Sequence, residues 1–281
     1  MHLAGRVAVV TGAASGIGRA VAAGLARRGC HLALVDVDRD GLAEAAGSLA
    51  LPGLRISRHL VDVSDRAAVA GLPEALASTH GRVDLLVNAA GVALAGRFEQ
   101  VSADEMEWLF GINFWGVVNV TRALLPSLLA SGDARIANIS SIYGIVAPPD
   151  QATYVASKFA VRGFSESLRH ELKGSGVGVT TVFPGGVRTA IARRARRAAA
   201  ADPAEMERDL AGLQQLLRMD PDRAAAAIVG AIERRRPRLL VGADARAAAL
   251  LERVLPVGYW RVLRWYMAAR GGAGRRGAGR P

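Results

Sequence analysis

Tyr154 and Lys158 stand four residues apart at the start of "YVASKFAVRGFSESLRHEL" (154–172). A helix there puts both side chains on one face, about 5–6 Å apart at Cβ. A free phenol titrates at about pH 10 and exchanges protons poorly at neutral pH unless its anion is stabilised. A lysine cation one turn away can lower that value by attraction, and it can also reach a cofactor ribose. Ser141 closes a strand-like run thirteen residues earlier, where its hydroxyl could bind a carbonyl or alkoxide oxygen. Asn113 lies in "GINFWG" between Gly111 and Gly116, inside a long helical pattern that an amide and two glycines weaken. Such a break in local preference marks function or close packing.

A second group could bind phosphate. "VVTGAASGIGRA" places Gly12, Gly16 and Gly18 between a strand pattern and a helix pattern. That junction supplies a tight turn, close backbone approach to a pyrophosphate and helix N–H groups aimed at its charge. No GKS or GKT follows, so a nucleotide triphosphatase is not supported. Asp36 ends the second strand run, 18 residues after Gly18. A carboxylate there can accept from adenosine ribose hydroxyls and repel a 2′-phosphate, which favours NAD over NADP, although Arg39 is close in sequence.

These residues need a frame. Apolar or β-branched runs at 6–12, 31–37, 55–63, 83–91, 134–141, 177–185 and 236–242 read as seven strands. Helical patterns fit 16–28, 39–50, 65–79, 103–130, 152–173 and a stretch from Pro221. Several strands are continuous apolar runs, as in a parallel sheet covered on both faces. The expected fold class is therefore α/β, a doubly wound, mostly parallel seven-stranded Rossmann-type sheet. Residues 1–243 form the expected catalytic domain, with a helix-prone lid insertion at about 188–220. A helical extension follows over 244–270, and 271–281, "GGAGRRGAGRP", reads as a disordered basic tail.

The motifs jointly resemble the classical short-chain dehydrogenase/reductase family: "TGAASGIG" (11–18), "DV" (62–63), "NAAG" (88–91), "NFWG" (113–116), "SS" (140–141), "YVASK" (154–158) and "PGGVRT" (184–189). The resemblance spans about residues 5–242 and implies a catalytic tetrad of Asn113, Ser141, Tyr154 and Lys158. In it Tyr154 is the general acid/base and Ser141 steadies the substrate oxygen. Lys158 lowers the tyrosine pKa and holds the nicotinamide ribose, while Asn113 positions a water. It further implies cofactor contacts from Gly12, Ser15, Gly16, Ile17 and Gly18, from Asp36, and near adenine from Asp62 and Val63. Asn88, Ala89 and Gly91 lie beside the cofactor in this pattern, with Pro184, Gly185, Val187 and Thr189 around the nicotinamide. Ala14, where a basic residue would suit NADP, agrees with NAD. Ser140, pointing the other way along the strand, is assigned a structural role.

The implied reaction is hydride transfer between NAD and an alcohol or ketone. Candidate walls at 91–96, 142–149 and after Thr189 are mainly apolar, so a hydrophobic, lipid-like secondary alcohol or its ketone is favoured. The competing reading is a non-enzymatic NAD-binding regulatory or scaffold protein on the same fold.

Charge and composition narrow the partners. The net charge is +11, yet residues 1–187 balance 16 basic against 16 acidic side chains, whereas 188–281 carry 20 against 9. The core lacks the basic excess of a duplex-binding domain, so no nucleic acid partner is expected. Cys30 is the only cysteine, and His2, His31, His59, His80 and His170 are scattered, so no metal site is expected. The N-terminal run has no signal-peptide pattern, and no apolar run is long enough to span a bilayer, which favours the cytoplasm. Tyr259, Trp260, Val262, Leu263, Tyr266 and Met267 alternate with Arg261, Arg264 and Arg270. That pattern suits either a packed helix or peripheral contact of 245–281 with an anionic membrane. The family resemblance implies a homodimer or homotetramer through helices 103–130 and 152–173.

Overall fold

A computed structural model describes residues 1–191, 193–202 and 217–272, the last seven by backbone alone. Seven strands form one sheet: β1 (Val7–Thr11), β2 (His31–Asp36), β3 (Ile56–Leu60), β4 (Leu85–Asn88), β6 (Ala134–Ile139), β7 (Val177–Pro184) and β9 (Arg238–Val241). Their spatial order is β3-β2-β1-β4-β6-β7-β9, and every pairing is parallel. This is the doubly wound Rossmann-type sheet expected from the apolar runs. β1, β4 and β6 are buried along their whole length, while the edge strand β3 is only partly buried and alternates Ser57, Arg58 and His59.

Strand alternation divides the core into two layers. Ala8, Val10, Leu32, Leu34, Leu85 and Val87 face α1 (Gly16–Ala26), α2 (Arg39–Ser48) and the helix Pro221–Glu233. Val9, Ala33, Val35, Leu86 and Ile136 face α3 (Arg66–Ala70), α4 (Leu72–His80), α6 (Gly116–Ser131) and α7 (Ala152–Glu171). The chain runs outward from β1 to β3, then returns to place β4 on the other side of β1. That reversal opens a crevice at the C-terminal ends of β1 and β4, where α/β sheets bind ligands.

The helical pattern of 103–130 is not one helix. α5 (Ala103–Phe110) begins with Ser102 and Glu105 in a reciprocal capping box and gives way to a π-helical turn, Gly111–Trp115, before α6. The turn admits Asn113, fully buried, at the place where helix propensity is weakest. π turns inside α-helices recur at functional sites.

The insertion after β7 departs from its helical expectation wherever it is described. Residues 193–202 hold turns and a two-residue strand, β8 (Arg196–Arg197), parallel to β5 (Leu94–Ala95). Tertiary contacts override helix propensity here. The Arg196 guanidinium lies 3.7 Å from the Trp108 ring centroid, and the Ala199 N–H donates to the Glu105 carboxylate at 3.0 Å. Residues 203–216 of the proposed helical lid and 273–281 of the proposed disordered tail lie outside the described residues, while residues 271–272 of that tail end a helix instead.

Numbering the helices onward, α8 is Pro221–Glu233, and the C-terminal extension consists of α9 (Ala243–Val254) and α10 (Tyr259–Gly272). Ala248, Ala249, Tyr259 and Leu263 pack against Ile145, Val146 and Phe183. The Tyr259 hydroxyl accepts from the Ala147 N–H at 2.8 Å. One side of the extension is thus fastened to the loop that follows Ser141.

Candidate active site

The phosphate end is shaped by backbone proximity. Gly12, at φ 66°, has Ala90 so close that a Cβ would fall 2.8 Å from its Cα and N. A Cβ on Gly18 would fall 2.1 Å from the Gly12 carbonyl oxygen, so glycine alone lets α1 start against this turn. The α1 N-cap, Ser15, makes no side-chain cap bond, and the first turn carries no acid. The free N–H groups and positive helix end remain directed to an anion.

Asp36 is locked at the tip of β2. Its Oδ2 accepts from the Ala14 N–H at 3.0 Å, and its Oδ1 accepts from the N–H groups of Val37 at 2.8 Å and Asp38 at 3.1 Å. Arg39 is exposed at the start of α2 and lies outside the cleft lining. Asp62 accepts from the Ser64 N–H and hydroxyl at 2.9 and 2.7 Å, and Val63 packs beneath Gly116.

Asn88 is the exception among the nucleotide-side residues. Its Nδ2 donates to Thr121 Oγ1 at 3.0 Å and Asn138 Oδ1 at 2.8 Å, on the α6 side of the sheet. It does not line the cleft, unlike Ala89 and Gly91. Thr11 does related work that sequence reading missed: its Oγ1 accepts from the N–H groups of Ala89 and Ala90, both at 3.1 Å, and so fixes the loop after β4. Thr11 opens the quoted "TGAASGIG" motif, but nothing in its position along the strand signalled a contact with the loop after β4.

Three of the four tetrad candidates gather at the end of β6. Ser141 caps a short helical turn by accepting from the Tyr143 N–H at 3.1 Å, and its hydroxyl acts to lower the Tyr154 phenol pKa. Tyr143 stands edge-on to Tyr154, with ring centroids 6.0 Å apart. Lys158 is 4% exposed; its Nζ donates to the Ile139 carbonyl at 3.3 Å and sits 5.7 Å from the Tyr154 ring centroid.

Burial, and not Lys158, dominates the phenol in this arrangement. Burial pushes the Tyr154 pKa up to about 12, with the Ser141 hydrogen bond acting against it and Tyr143 adding to it. Burial also pushes Lys158 down to about 8. The ammonium is directed to a backbone carbonyl while both groups lie in a poorly hydrated wall, so desolvation outweighs their mutual attraction.

Asn113 approaches from behind. Its Oδ1 accepts from the Val92 N–H at 2.8 Å, and its Nδ2 donates to the Val92 carbonyl at 3.0 Å and Ser157 Oγ at 3.2 Å. Ser157 in turn donates to the Tyr154 carbonyl at 2.7 Å. Asn113 does not line the cleft and clamps the loop after β4 to α7. A Cβ on Gly91 would come 3.2 Å from Asn113 Oδ1 and 3.4 Å from Lys158 Nζ, so Gly91 leaves the space between them.

The remaining wall comes from Pro184–Thr189. The Gly186 N–H donates to the Asp244 carboxylate at 2.6 Å, and Arg188 pairs with Asp220 at 3.2 Å. A Cβ on Gly16 would touch Thr189 at 3.4 Å, which brings the phosphate turn and the β7 loop together. All these elements enclose one cleft of about 2510 Å3, larger than the ~1,000 Å3 upper range of ordinary ligand pockets. It has room for a dinucleotide and a second molecule.

The residues fit a dinucleotide on their own geometry: a glycine cradle too tight for any Cβ, an uncapped helix start, and a fixed carboxylate at the tip of the next strand. The second compartment is walled by Val92, Trp108, Ile142, Tyr143 and Val146. Leu251, Val254 and Leu263 extend it into the C-terminal helices, a contribution invisible in sequence because those residues read as ordinary amphipathic packing.

Comparison with known proteins agrees with this architecture. The sequence pattern described as "short chain dehydrogenase" matches residues 6–200. A Mycobacterium tuberculosis protein named as an oxidoreductase, SadH, is 40% identical over 261 residues, covering 92% of this chain and 94% of its own. A short-chain dehydrogenase/reductase from Burkholderia phymatum, solved in complex with NAD, is 33% identical with a TM-score of 0.83, covering 91% of this chain and 95% of its own. A short-chain dehydrogenase from Mycobacterium paratuberculosis bound to NAD is 25% identical with a TM-score of 0.75, covering 87% and 99%.

Proposed function

This chain belongs to the short-chain dehydrogenase family, whose general activity is NAD(P)-dependent oxidoreduction, and we propose that it interconverts a hydrophobic, lipid-like secondary alcohol and its ketone, using NAD. One observation carries the reading. Ser141, Tyr154 and Lys158 line the same cleft as the glycine cradle, and the compartment in front of them has apolar walls.

NAD would be held by the N–H groups of the Gly12–Gly18 turn, by Asp36 at the adenosine ribose, and by Lys158 and the Pro184–Thr189 loop at the nicotinamide end. Asp36 favours NAD because its carboxylate is held by three backbone donors and would repel a 2′-phosphate. The NAD-bound relatives from Burkholderia phymatum and Mycobacterium paratuberculosis support the same choice. Bound there, the cofactor supplies the hydride acceptor in oxidation and the hydride donor in reduction.

The side chains of the protein then handle the proton. Ser141 donates a hydrogen bond to the substrate oxygen. Tyr154 gives its phenolic proton to that oxygen in ketone reduction, and as tyrosinate it removes the alcohol proton in oxidation. A phenol with a pKa of about 12 is protonated at neutral pH and ready to act as the acid. Lys158, at about 8, is still mostly cationic at neutral pH and stabilises the tyrosinate that oxidation needs. Asn113 positions both the Val92 loop and, through Ser157, the first turn of α7.

The test is purified protein with NAD or NADP against sterols, retinoids, long-chain and aromatic alcohols, and polar sugars and hydroxy acids, following the absorbance of the reduced cofactor. Turnover of the hydrophobic group with NAD is expected. Turnover confined to sugars or hydroxy acids would remove the substrate reading, and NAD binding without any turnover would support a regulatory protein instead.

A further inference from the structure

The far wall of the cleft is built from residues that also face solvent. Leu250, Val254, Val262 and Trp265 line it, yet they are 65%, 66%, 41% and 71% exposed. Val257, in the turn between α9 and α10, is 94% exposed. Leu250, Val254, Val262 and Trp265 share the cleft lining with the apolar interior and stand outside the cluster that packs on Ile145 and Phe183. Isolated exposed apolar residues are ordinary, but a rim concentrated on one helical pair at the mouth of a site is not.

Charge accompanies the rim. Arg253, Arg261 and Arg264 are exposed between these apolar residues and form no ion pair among the described residues. Over 245–270 the sequence holds Arg246, Arg253, Arg261, Arg264 and Arg270 against the single acid Glu252. A second copy of this extension would set its five arginines and one acid against the same excess, an unfavourable like-charge contact. Aromatic and aliphatic side chains interleaved with arginines match instead the boundary of a bilayer, where rings lie at headgroup depth and guanidinium groups meet phosphate. No helix among the described residues is long and apolar enough to cross a membrane, so contact of this kind is peripheral.

We propose that α9 and α10 seat the cleft mouth on an anionic lipid surface, so that a lipid-like substrate passes from the bilayer into the site without crossing water. The inference rests on the hydrophobic-alcohol reading for its substrate and on the rim alone for its docking. It also assigns the extension a division of labour: Ala248, Tyr259 and Leu263 hold the protein side, while Val257, Trp265 and the arginines hold the lipid side.

The experiment uses the full chain and vesicles of phosphatidylcholine with or without phosphatidylglycerol, in a sedimentation assay at low and high salt. The protein is expected to sediment with the phosphatidylglycerol vesicles at low salt and to be released at high salt. The triple variant Val257→Asp, Arg261→Glu, Arg264→Glu, which alters no cleft-lining residue, is expected to bind roughly tenfold more weakly or worse. A water-soluble short alcohol is expected to be oxidised equally by both proteins, whereas a long-chain alcohol carried in the vesicles is oxidised more slowly by the variant.

Absence of sedimentation, or equal binding by the variant, overturns the docking. Equal turnover of the vesicle-borne alcohol by both proteins overturns the delivery route. If the variant changes the oligomeric state and vesicles bind neither protein, the rim is covered by a second copy and the proposal fails. Vesicle binding without turnover of either alcohol removes the substrate reading and leaves the docking supported, so the two failures are distinguishable.

Discussion

The Ser140 hydroxyl donates to the main-chain carbonyl of Lys158 at 2.8 Å, fastening the end of β6 to α7 at the residue expected to steady the reactive phenol. The contact is fully enclosed: a Cβ on Gly144 would come 2.3 Å from Ser140 Oγ and 2.9 Å from the Lys158 oxygen. Ser140→Ala leaves this carbonyl without its side-chain donor and is expected to cost about 1–2 kcal/mol of stability in urea denaturation. Turnover is expected to fall less than in Ser141→Ala, because Ser140 acts only through the position of α7. A larger kinetic loss in Ser140→Ala than in Ser141→Ala would contradict the assignment of the two serines.

Tyr154→Phe removes the exchangeable proton and retains the ring that stands against Tyr143. The kcat is expected to fall on the order of 10²–10⁴-fold, the usual contribution of a positioned acid or base. NAD affinity, read by fluorescence titration, and the thermal midpoint are expected to hold. Unchanged turnover would sink the proton role.

Much of this site was legible before the fold was seen, for reasons that differ between its parts. The glycine turn and the strands could be read because parallel, doubly covered strands are apolar without alternation, and because the strand-to-helix turn admits no Cβ at Gly12 or Gly18. Asn113 announced itself by breaking helix propensity, and the break is a π turn. Two things were beyond local pattern. The Arg196–Trp108 stack and the Leu94–Arg196 register put a two-residue strand into the described part of a helix-prone insertion, which depends on partners about a hundred residues away. The balance of desolvation against attraction at Tyr154 and Lys158 depends on where the Lys158 ammonium is directed, and spacing along a helix does not fix that.

Asp36→Asn tests cofactor choice. The amide oxygen can keep the Val37 and Asp38 N–H bonds while the amide nitrogen faces the Ala14 N–H, so the variant loses the negative charge and one backbone bond. The ratio of kcat/KM for NAD to that for NADP is expected to drop roughly ten- to a hundredfold, in line with about 1.5–3 kcal/mol for a charged hydrogen bond. An unchanged ratio would mean that another group reads the 2′ position.

His80 gives the fold an acid limit remote from the site. It is 4% exposed at the end of α4, and its Nε2 shares the Ser57 hydroxyl with His59 Nε2, both at 2.8 Å. Burial pushes its pKa down to about 4 from an ordinary 6.5, with the charges of Arg55, His59 and His31 acting in the same direction. The unfolded chain therefore binds a proton between pH 6.5 and 4 that the folded chain refuses. Stability from this group is complete above the unfolded value and is lost as pH falls through that window, by at most about 3 kcal/mol if the full shift acts. His59, lowered by burial as well, adds with the same sign. Urea midpoints measured from pH 7 to 4 are expected to fall steeply in the wild type and less steeply in His80→Gln, which cannot take up the proton. An identical slope in the variant would move the acid sensitivity to another group.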